Sequence, residues 1–215
     1  MKPTSKSTPV LILGTDDHAQ VIIDLCQILH RPIAGLVALQ KSENASEILG
    51  VPVFADDRAL KQFHPDQVEL ASGIASVRVS EKREILFQRY KKEGYRFAQL
   101  IHPAACIAQN VHLGEGCVLM AGSIVQTGVQ VGDNVILNTG CSIDHHCQIG
   151  DHVHVAPGAI LAGRVRVGIS SFIGAGATII QGVEVGRGCA VAAGAVVVGP
   201  VFDGSRVMGI PASEH

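Results

Sequence analysis

The chain contains no tryptophan, two tyrosines and six phenylalanines, so aromatic residues make up only 4% of its 215 positions. Sandwich and barrel cores lean on a few large rings, and so few rings point to a different kind of packing. Charge is thin as well, at 17% of residues with a formal net charge of -2. No basic run and no interleaving of basic with aromatic residues occurs, which argues against a nucleic-acid partner. Long apolar runs are missing too: near the start the longest is Pro9–Leu13, far too short for a signal peptide or a membrane span. The cysteines at 26, 106, 117, 141, 147 and 189 form no C-x-x-C pair, which argues against a zinc knuckle. Without an export signal these thiols are expected to be reduced, in a cytoplasmic protein with no membrane contact.

What the chain does have is aliphatic residues and glycine: 47% hydrophobic positions and 24 glycines. Their order is regular. Counting in sixes from Ile101 gives Ile107, Leu113, Leu119, Val125, Val131, Leu137, Ile143, Ile149, Val155, Leu161, Val167, Ile173, Ile179, Val185, Val191 and Val197, without one exception. The lattice fails one step beyond either end, at Tyr95 and Asp203. Glycine adds a period of eighteen, in one column at Gly114, Gly132, Gly150, Gly168 and Gly186 and in another at Gly122, Gly140, Gly158, Gly176 and Gly194. Such self-similarity is the mark of a solenoid. A period of six inside one of eighteen predicts a three-sided coil with one hexapeptide per side. Aliphatics point inward, and glycines mark corners that need φ > 0 or close approach. The hexapeptide solenoid of this kind is the left-handed parallel β-helix, here of between five and six coils. Its flat faces favour side-by-side packing, most simply as a homotrimer. Its ends need covers, supplied by the preceding residues and by the tail after Pro200.

Residues 1–98 follow another rhythm. Strands are expected at Val10–Gly14, Ile33–Leu39, Val51–Phe54 and Val68–Ala71. A helix from Ala19 to Leu29 would bury Val21, Ile22, Leu25, Ile28 and Leu29, capped by Asp16 or Asp17. A second, from Glu81 to Glu93, would turn Ile85 and Leu86 inward. Alternating strands and helices imply a small Rossmann-like α/β domain, half of the full fold. Its first turn, Gly14-Thr15-Asp16-Asp17-His18, lacks G-x-G-x-x-G, and two carboxylates would repel a diphosphate, so NAD and FAD are not expected. The chain thus divides into 1–98, a β-helix over 99–200, and a tail, 201–215.

The densest chemistry is SIDHHCQIGDHVHVAPG, Ser142 to Gly158. With Ile143, Ile149 and Val155 inside, Asp144, His145 and His146 fall at or near a corner. Three readings follow: polar decoration of a surface, a zinc site drawn from His112, His146, His152 and His154, or acid–base catalysis. An imidazole with a pKa near 6.5 accepts a proton at neutral pH. It could activate a hydroxyl or amine against a thioester, with backbone N–H groups steadying the oxyanion. His145 and His154 are half a coil apart and sit on different sides of one prism, so they would meet only across a subunit interface.

The combined pattern resembles the bacterial sugar acyltransferases of the PglD/NeuD type, which acetylate nucleotide-linked amino sugars or sialic acid. The resemblance is carried by VLILGTDDHAQVIIDL, LIHPAACIA, ILNTGCSIDHHCQIGDHVHVAPGAILAG and VMGIPA, and covers almost the whole chain. It implies acetyl-CoA as cosubstrate, no metal, a nucleotide-linked amino sugar as partner, and a homotrimer with active sites at subunit interfaces. In that family the histidine of an acidic-His-acidic triplet is the general base, which places the role on His145. The acid that orients the base is replaced here by His146. His154 matches a second histidine near the thioester, Ala175 and Ala193 match backbone contacts along acetyl-CoA, and Asn138 matches an asparagine near the acceptor sugar. Asp16, Asp17 and His18 stand in the family's glycine-rich turn ending in Gly-His, and Gly73 fits its glycine after the third main strand; together they would bind the nucleotide sugar. Ala38 and Leu39 occupy the place of acidic residues that touch the base. The reaction implied is direct N-acetylation without an acyl-cysteine, since Cys141 and Cys147 fall at filler positions. O-acetylation of a sugar such as sialic acid, a zinc hydratase of the β-helix carbonic anhydrase kind, and a binding-only trimer are the alternatives.

Overall fold

The computed structural model describes residues 7–39, 46–55, 57–75 and 81–214, without the side chains of 57–59. The chain divides into two compact units. One comprises Met1–Ala75 with Gln88–Ala98, the other Ser76–Phe87 with Gln99–His215.

The first unit is a sheet with a helix on it. Strands β1 (Val10–Leu13), β2 (Ile33–Ala38), β3 (Glu47–Ile48), β4 (Val51–Ala55), β5 (Glu69–Ser72) and β6 (Arg96–Phe97) lie in the order β3-β4-β2-β1-β5-β6. All neighbours are parallel except β3 and β4, an antiparallel hairpin. Every residue of β1 is buried, as expected for a central parallel strand covered on both faces. Helix α1 (Asp17–Ile28) buries Ala19, Ile22, Ile23, Leu25 and Cys26. Val21 and Ile28, expected inside, are each 39% exposed. The contact stripe runs through positions 19, 22, 23 and 26, a true i, i+3, i+4, i+7 set, and leaves 21 and 28 on its flank. Among the described residues no helix is long and apolar enough to cross a membrane.

The second unit is a parallel β-solenoid with two-residue strands on three faces. The first face stacks Leu100–Ile101, Val118–Leu119, Ile136–Leu137, His154–Val155, Phe172–Ile173, Ala190–Val191 and Arg206–Met208. The second stacks Cys106–Ile107, Ile124–Val125, Ser142–Ile143, Ile160–Leu161, Thr178–Ile179 and Val196–Val197. The third stacks His112–Leu113, Gln130–Val131, Gln148–Ile149, Arg166–Val167 and Glu184–Val185. Up to Ala190–Val191 and Val196–Val197 each strand pairs in register with the one eighteen residues back, for example Ile143 with Leu161 and Val155 with Ile173, whereas Ala190 pairs with Arg206 across a shorter step. The second residue of each pair is the inward aliphatic of the sixfold lattice. From Leu119 to Val197 these residues are fully buried, whereas Ile101, Ile107 and Leu113, in the first coil, are half-buried.

The two glycine columns serve different needs. At Gly122, Gly140, Gly158, Gly176 and Gly194 the backbone is left-handed, with φ between 64° and 70°. The column through Gly168 meets the other need: a Cβ there would lie 2.6 Å from the carbonyl carbon of Gly186 one coil on. After Pro200 the tail closes the prism. Arg206–Met208 continues the first face, Ser213–Glu214 folds back antiparallel on it, and Ala212 packs against the core.

A third corner column is left-handed as well, yet it is filled by Asn134 (φ 55°), His152 (φ 62°) and Ser170 (φ 59°). Left-handed geometry costs a non-glycine residue about 1–2 kcal/mol, so a compensation is expected. It comes from the start of helix α2 (Lys82–Lys92), which belongs to this same unit through Phe87. Asn134 donates from Nδ2 to the Arg83 carbonyl at 3.4 Å, His152 meets the Phe87 ring edge-on, and Ser170 donates to Glu84 at 2.5 Å. The part of α2 turned to this corner therefore carries Arg83 and Phe87, while Ile85, expected inside, is 56% exposed and Leu86 is half-buried.

Burial lowers the His152 pKa from its usual 6.5, and Arg83 lowers it further, against opposing pulls from Glu84, Asp151 and Asp133. The unfolded chain therefore takes up this proton first. The stability that neutral His152 contributes is complete above about pH 6.5 and is lost as pH falls through the depressed folded value. Replacing His152 with Asn, the residue one coil earlier, should flatten the decline of Tm between pH 7 and pH 5. Thermal melts of the two proteins across that range would measure it; parallel declines would contradict the assignment.

Candidate active site

At the corner between the second and third faces, Asp144, His145 and His146 lead from the Ser142–Ile143 strand to inward-facing Cys147. Hydrogen bonds from neighbouring coils fix this corner: Arg164 N–H donates to the His145 carbonyl at 2.9 Å, and His146 N–H donates to the Thr127 carbonyl at 3.0 Å. The Asp144 carboxylate accepts the His145 backbone N–H at 2.6 Å, so it braces the main chain of the base. The neighbour of the His145 ring is His146, with the two Nδ1 atoms 3.2 Å apart and the rings crossed at 78°. Only one Nδ1 of such a pair can carry the bonding proton. With it on His145, His146 accepts and Nε2 of His145 keeps a lone pair for a substrate proton. His146 is left-handed (φ 58°), and its ring lies over Gly128 of the preceding coil, where a Cβ would approach Cδ2 at 2.9 Å.

The neighbouring corner, between the first and second faces, carries the other candidates. His154 projects outward from the first face yet is only 5% exposed, its ring edge-on to Phe172 at 5.3 Å. Asn138 reaches it, Nδ2 to Nε2, at 3.3 Å. The Asn138 Oδ1 accepts the Thr139 N–H at 2.8 Å, which makes Nδ2 the donor. His154 therefore accepts at Nε2 and bears its proton on Nδ1. Ala175 and Ala193 are exposed at the same corner one coil apart, with Gly194 N–H donating to the Ala175 carbonyl.

The structure thus brings Asn138, His154, Ala175 and Ala193 to one edge of the second face, and His145 and His146 to its other edge. Between them the face shows Ile124 (38% exposed) and Ile160 (48% exposed).

In the other unit, Asp16 is the N-cap of α1 without a side-chain capping bond, and Asp17 opens its first turn; both are exposed, and His18 is half-buried. Gly73 follows β5, and its N–H donates to the Leu13 carbonyl at 2.8 Å. A Cβ there would lie 2.8 Å from that of Ala19. These residues share the carboxyl ends of β1 and β5. Chain order reverses there, with β2 on one side of β1 and β5 on the other, and such switch points are where open α/β sheets form their binding crevice.

The histidines of the zinc alternative are dispersed: His112 on the third face, His146 at one corner, His152 against Phe87 and Asn134, and His154 on the first face. Among the described residues no group of three or more His, Cys, Asp or Glu could hold a metal ion. The cysteines near the histidines are core filler. Cys141 and Cys147 are fully buried, and burial raises both thiols, that of Cys141 to about 12. A thiol held that high supplies almost no thiolate near neutrality.

Repeat models for bacterial transferase hexapeptides match residues 110–144 and 128–163, and one for the hexapeptide repeat of succinyl-transferase matches 164–198. No curated protein sequence matches the chain. Among solved structures, PerB of Caulobacter crescentus, in complex with CoA and GDP-perosamine, is 34% identical over 96% of this chain and 97% of its own, with a TM-score of 0.89. The acetyltransferase domain of PglB from Neisseria gonorrhoeae is 31% identical over 97% of this chain and 100% of its own, with a TM-score of 0.85. WeeI of Acinetobacter baumannii, at 24% identity over 96% and 99% of the two chains and a TM-score of 0.87, shares the fold. The solenoid and its corners define a hexapeptide-repeat transferase. The chain belongs to the family of bacterial sugar acetyltransferases built on this β-helix.

Proposed function

We propose that this protein transfers acetyl from acetyl-CoA to the amino group of a nucleotide-linked deoxy amino sugar. The observation that carries the reading is the likeness, over nearly the whole of both chains, to an N-acetyltransferase solved with CoA and GDP-perosamine. His145 accepts a proton at Nε2 as the neutral amine attacks the thioester carbonyl. A C–N bond forms, the C–S bond breaks, and coenzyme A leaves with the electron pair of that bond. His146 orients the base by accepting from its Nδ1. Asn138 and His154 flank the thioester and the acceptor, and the exposed edge at Ala175 and Ala193 gives coenzyme A an unobstructed path. The sugar nucleotide lies at the crevice of Asp16, Asp17, His18 and Gly73, with its phosphates directed away from the two carboxylates, within a domain of residues 1–98 that serves the catalytic β-helix of residues 99–200.

The two half-sites lie at opposite edges of one apolar face, which supports a homotrimer: each site forms where the His145 edge of one copy meets the His154 edge of the next. Six free cysteines support a reducing compartment, the cytoplasm.

Release of free thiol from acetyl-CoA in the presence of UDP-, GDP-, dTDP- and CMP-linked amino sugars tests the reading. One or more of these acceptors is expected to give turnover. Release only with a hydroxyl acceptor such as sialic acid would replace it with O-acetylation, and no release with any acceptor would overturn it.

A further inference from the structure

The imidazole of His145 rests on the next coil, and what lies beneath it is Gly163, eighteen residues on. A Cβ at Gly163 would come 2.5 Å from both Cε1 and Nε2 of His145 and 3.2 Å from Cδ2. No other atom comes nearer, so the space a side chain would take is the space the ring occupies. The turn itself does not ask for glycine here. The same corner position holds Thr127, His145 and Gln181 in the other coils, and Gly163 is not among the glycines with positive φ. That separates it from Gly128 beneath His146, whose φ of 75° would call for glycine in any case.

We infer that Gly163 is a positioning residue: the absence of its side chain seats the His145 imidazole with Nδ1 on His146 and its Cε1–Nε2 edge over Gly163. The inference rests on His145 being the base. A methyl at 163 leaves the backbone untouched and turns the ring out of its seat, which breaks the Nδ1–Nδ1 contact and moves Nε2 away from the nucleophile. Displacing a catalytic group by about 1 Å costs on the order of 100-fold in rate.

The test is Gly163→Ala in the full-length protein, with steady-state kinetics, thermal melts and an NMR titration of the histidine ring nitrogens. The expected result is kcat lower by about 100-fold with KM for acetyl-CoA within about twofold, an unchanged Tm, and displaced His145 ring resonances. Addition of Gly163→Ala to a His145→Ala chain should change neither Tm nor residual turnover. Gly163→Ala with normal kcat and an unmoved His145 spectrum would overturn the seat. Displaced His145 resonances with normal kcat would leave the seat standing and instead remove His145 as the base. A fall in Tm equal in both backgrounds would assign Gly163 to packing and overturn the inference.

Discussion

Chains carrying His145→Ala and chains carrying His154→Ala, each severely impaired alone, are expected to recover about a quarter of wild-type activity when assembled together. The figure follows from placing the two half-sites at opposite edges of the second face. In a mixed trimer a site works when the copy giving its His145 edge is a His154→Ala chain and its neighbour is a His145→Ala chain. With random mixing each condition is met about half the time. Alone, the His145→Ala protein should lose about 100- to 10,000-fold in kcat, the range that a positioned general base contributes. Refolding the two variants from a mixture, and measuring thiol release beside light scattering for mass, checks both statements. A particle of three times the 22.5 kDa chain with no recovered activity would put both histidines to work within one chain. A His145→Ala protein with near-normal turnover would remove the base itself.

The solenoid was legible because its rule is short. One inward aliphatic every six residues and one small residue every eighteen are enough to set face, register and coil height, and Ile101 to Val197 obeys without a break. The polar cluster could be placed from the same rule, since fixing Ile143, Ile149 and Val155 inside put His145 and His146 at a corner and His154 on another face. Contacts between coils were harder to see. They join residues eighteen apart, as with His145 over Gly163 and His146 over Gly128, and a pattern of inward positions says nothing about which outward ring leans up and which leans down.

Helix α2 departs from the expectation for a related reason. Its apolar residues, Ile85 and Leu86, suggested the inner face, yet the face against the solenoid holds Arg83 and Phe87. Hydrophobicity is a poor guide where the docking surface is a corner. Left-handed corners present main-chain carbonyls, and carbonyls need donors more than they need methyl groups. The three non-glycine residues at that corner, Asn134, His152 and Ser170, were visible exceptions to a glycine-tolerant column. Together they sit where the start of α2 lands.

Removing the Arg83 side chain should destabilise the protein by about 3 kcal/mol or more. Its guanidinium, 4% exposed, donates to the carbonyls of Asn134, His152 and Val153, the last two at 2.5 Å and 3.4 Å. Burial opposes this charge and lowers its pKa to about 10, with Cys117 and Glu84 pulling the other way. The arginine thus stays charged at neutral pH and forms no ion pair with a carboxylate among the described residues. Desolvation of the cation and the carbonyl contacts offset each other in the native protein. Arg83→Ala does not offset: it frees the fold of a costly cation but leaves the Asn134 and His152 carbonyls without the donor they have here, at about 1–3 kcal/mol each, while Val153 still accepts from the Ile136 N–H. It also removes one of the contacts that hold the start of α2 to the corner at Asn134 and His152, beside the Asn134 bond to the main-chain carbonyl at 83 and the Phe87–His152 ring contact. Arg83→Lys keeps the charge and three donors on one atom, which cannot span the carbonyls as a planar fork does, so about half of the loss should remain. Urea unfolding monitored by circular dichroism would rank the wild type above Arg83→Lys above Arg83→Ala. An Arg83→Ala protein as stable as the wild type would mean that water replaces the guanidinium at this corner without loss, and that Phe87, the Glu84–Ser170 bond and the Asn134 bond to the main-chain carbonyl at 83 suffice to hold the start of α2.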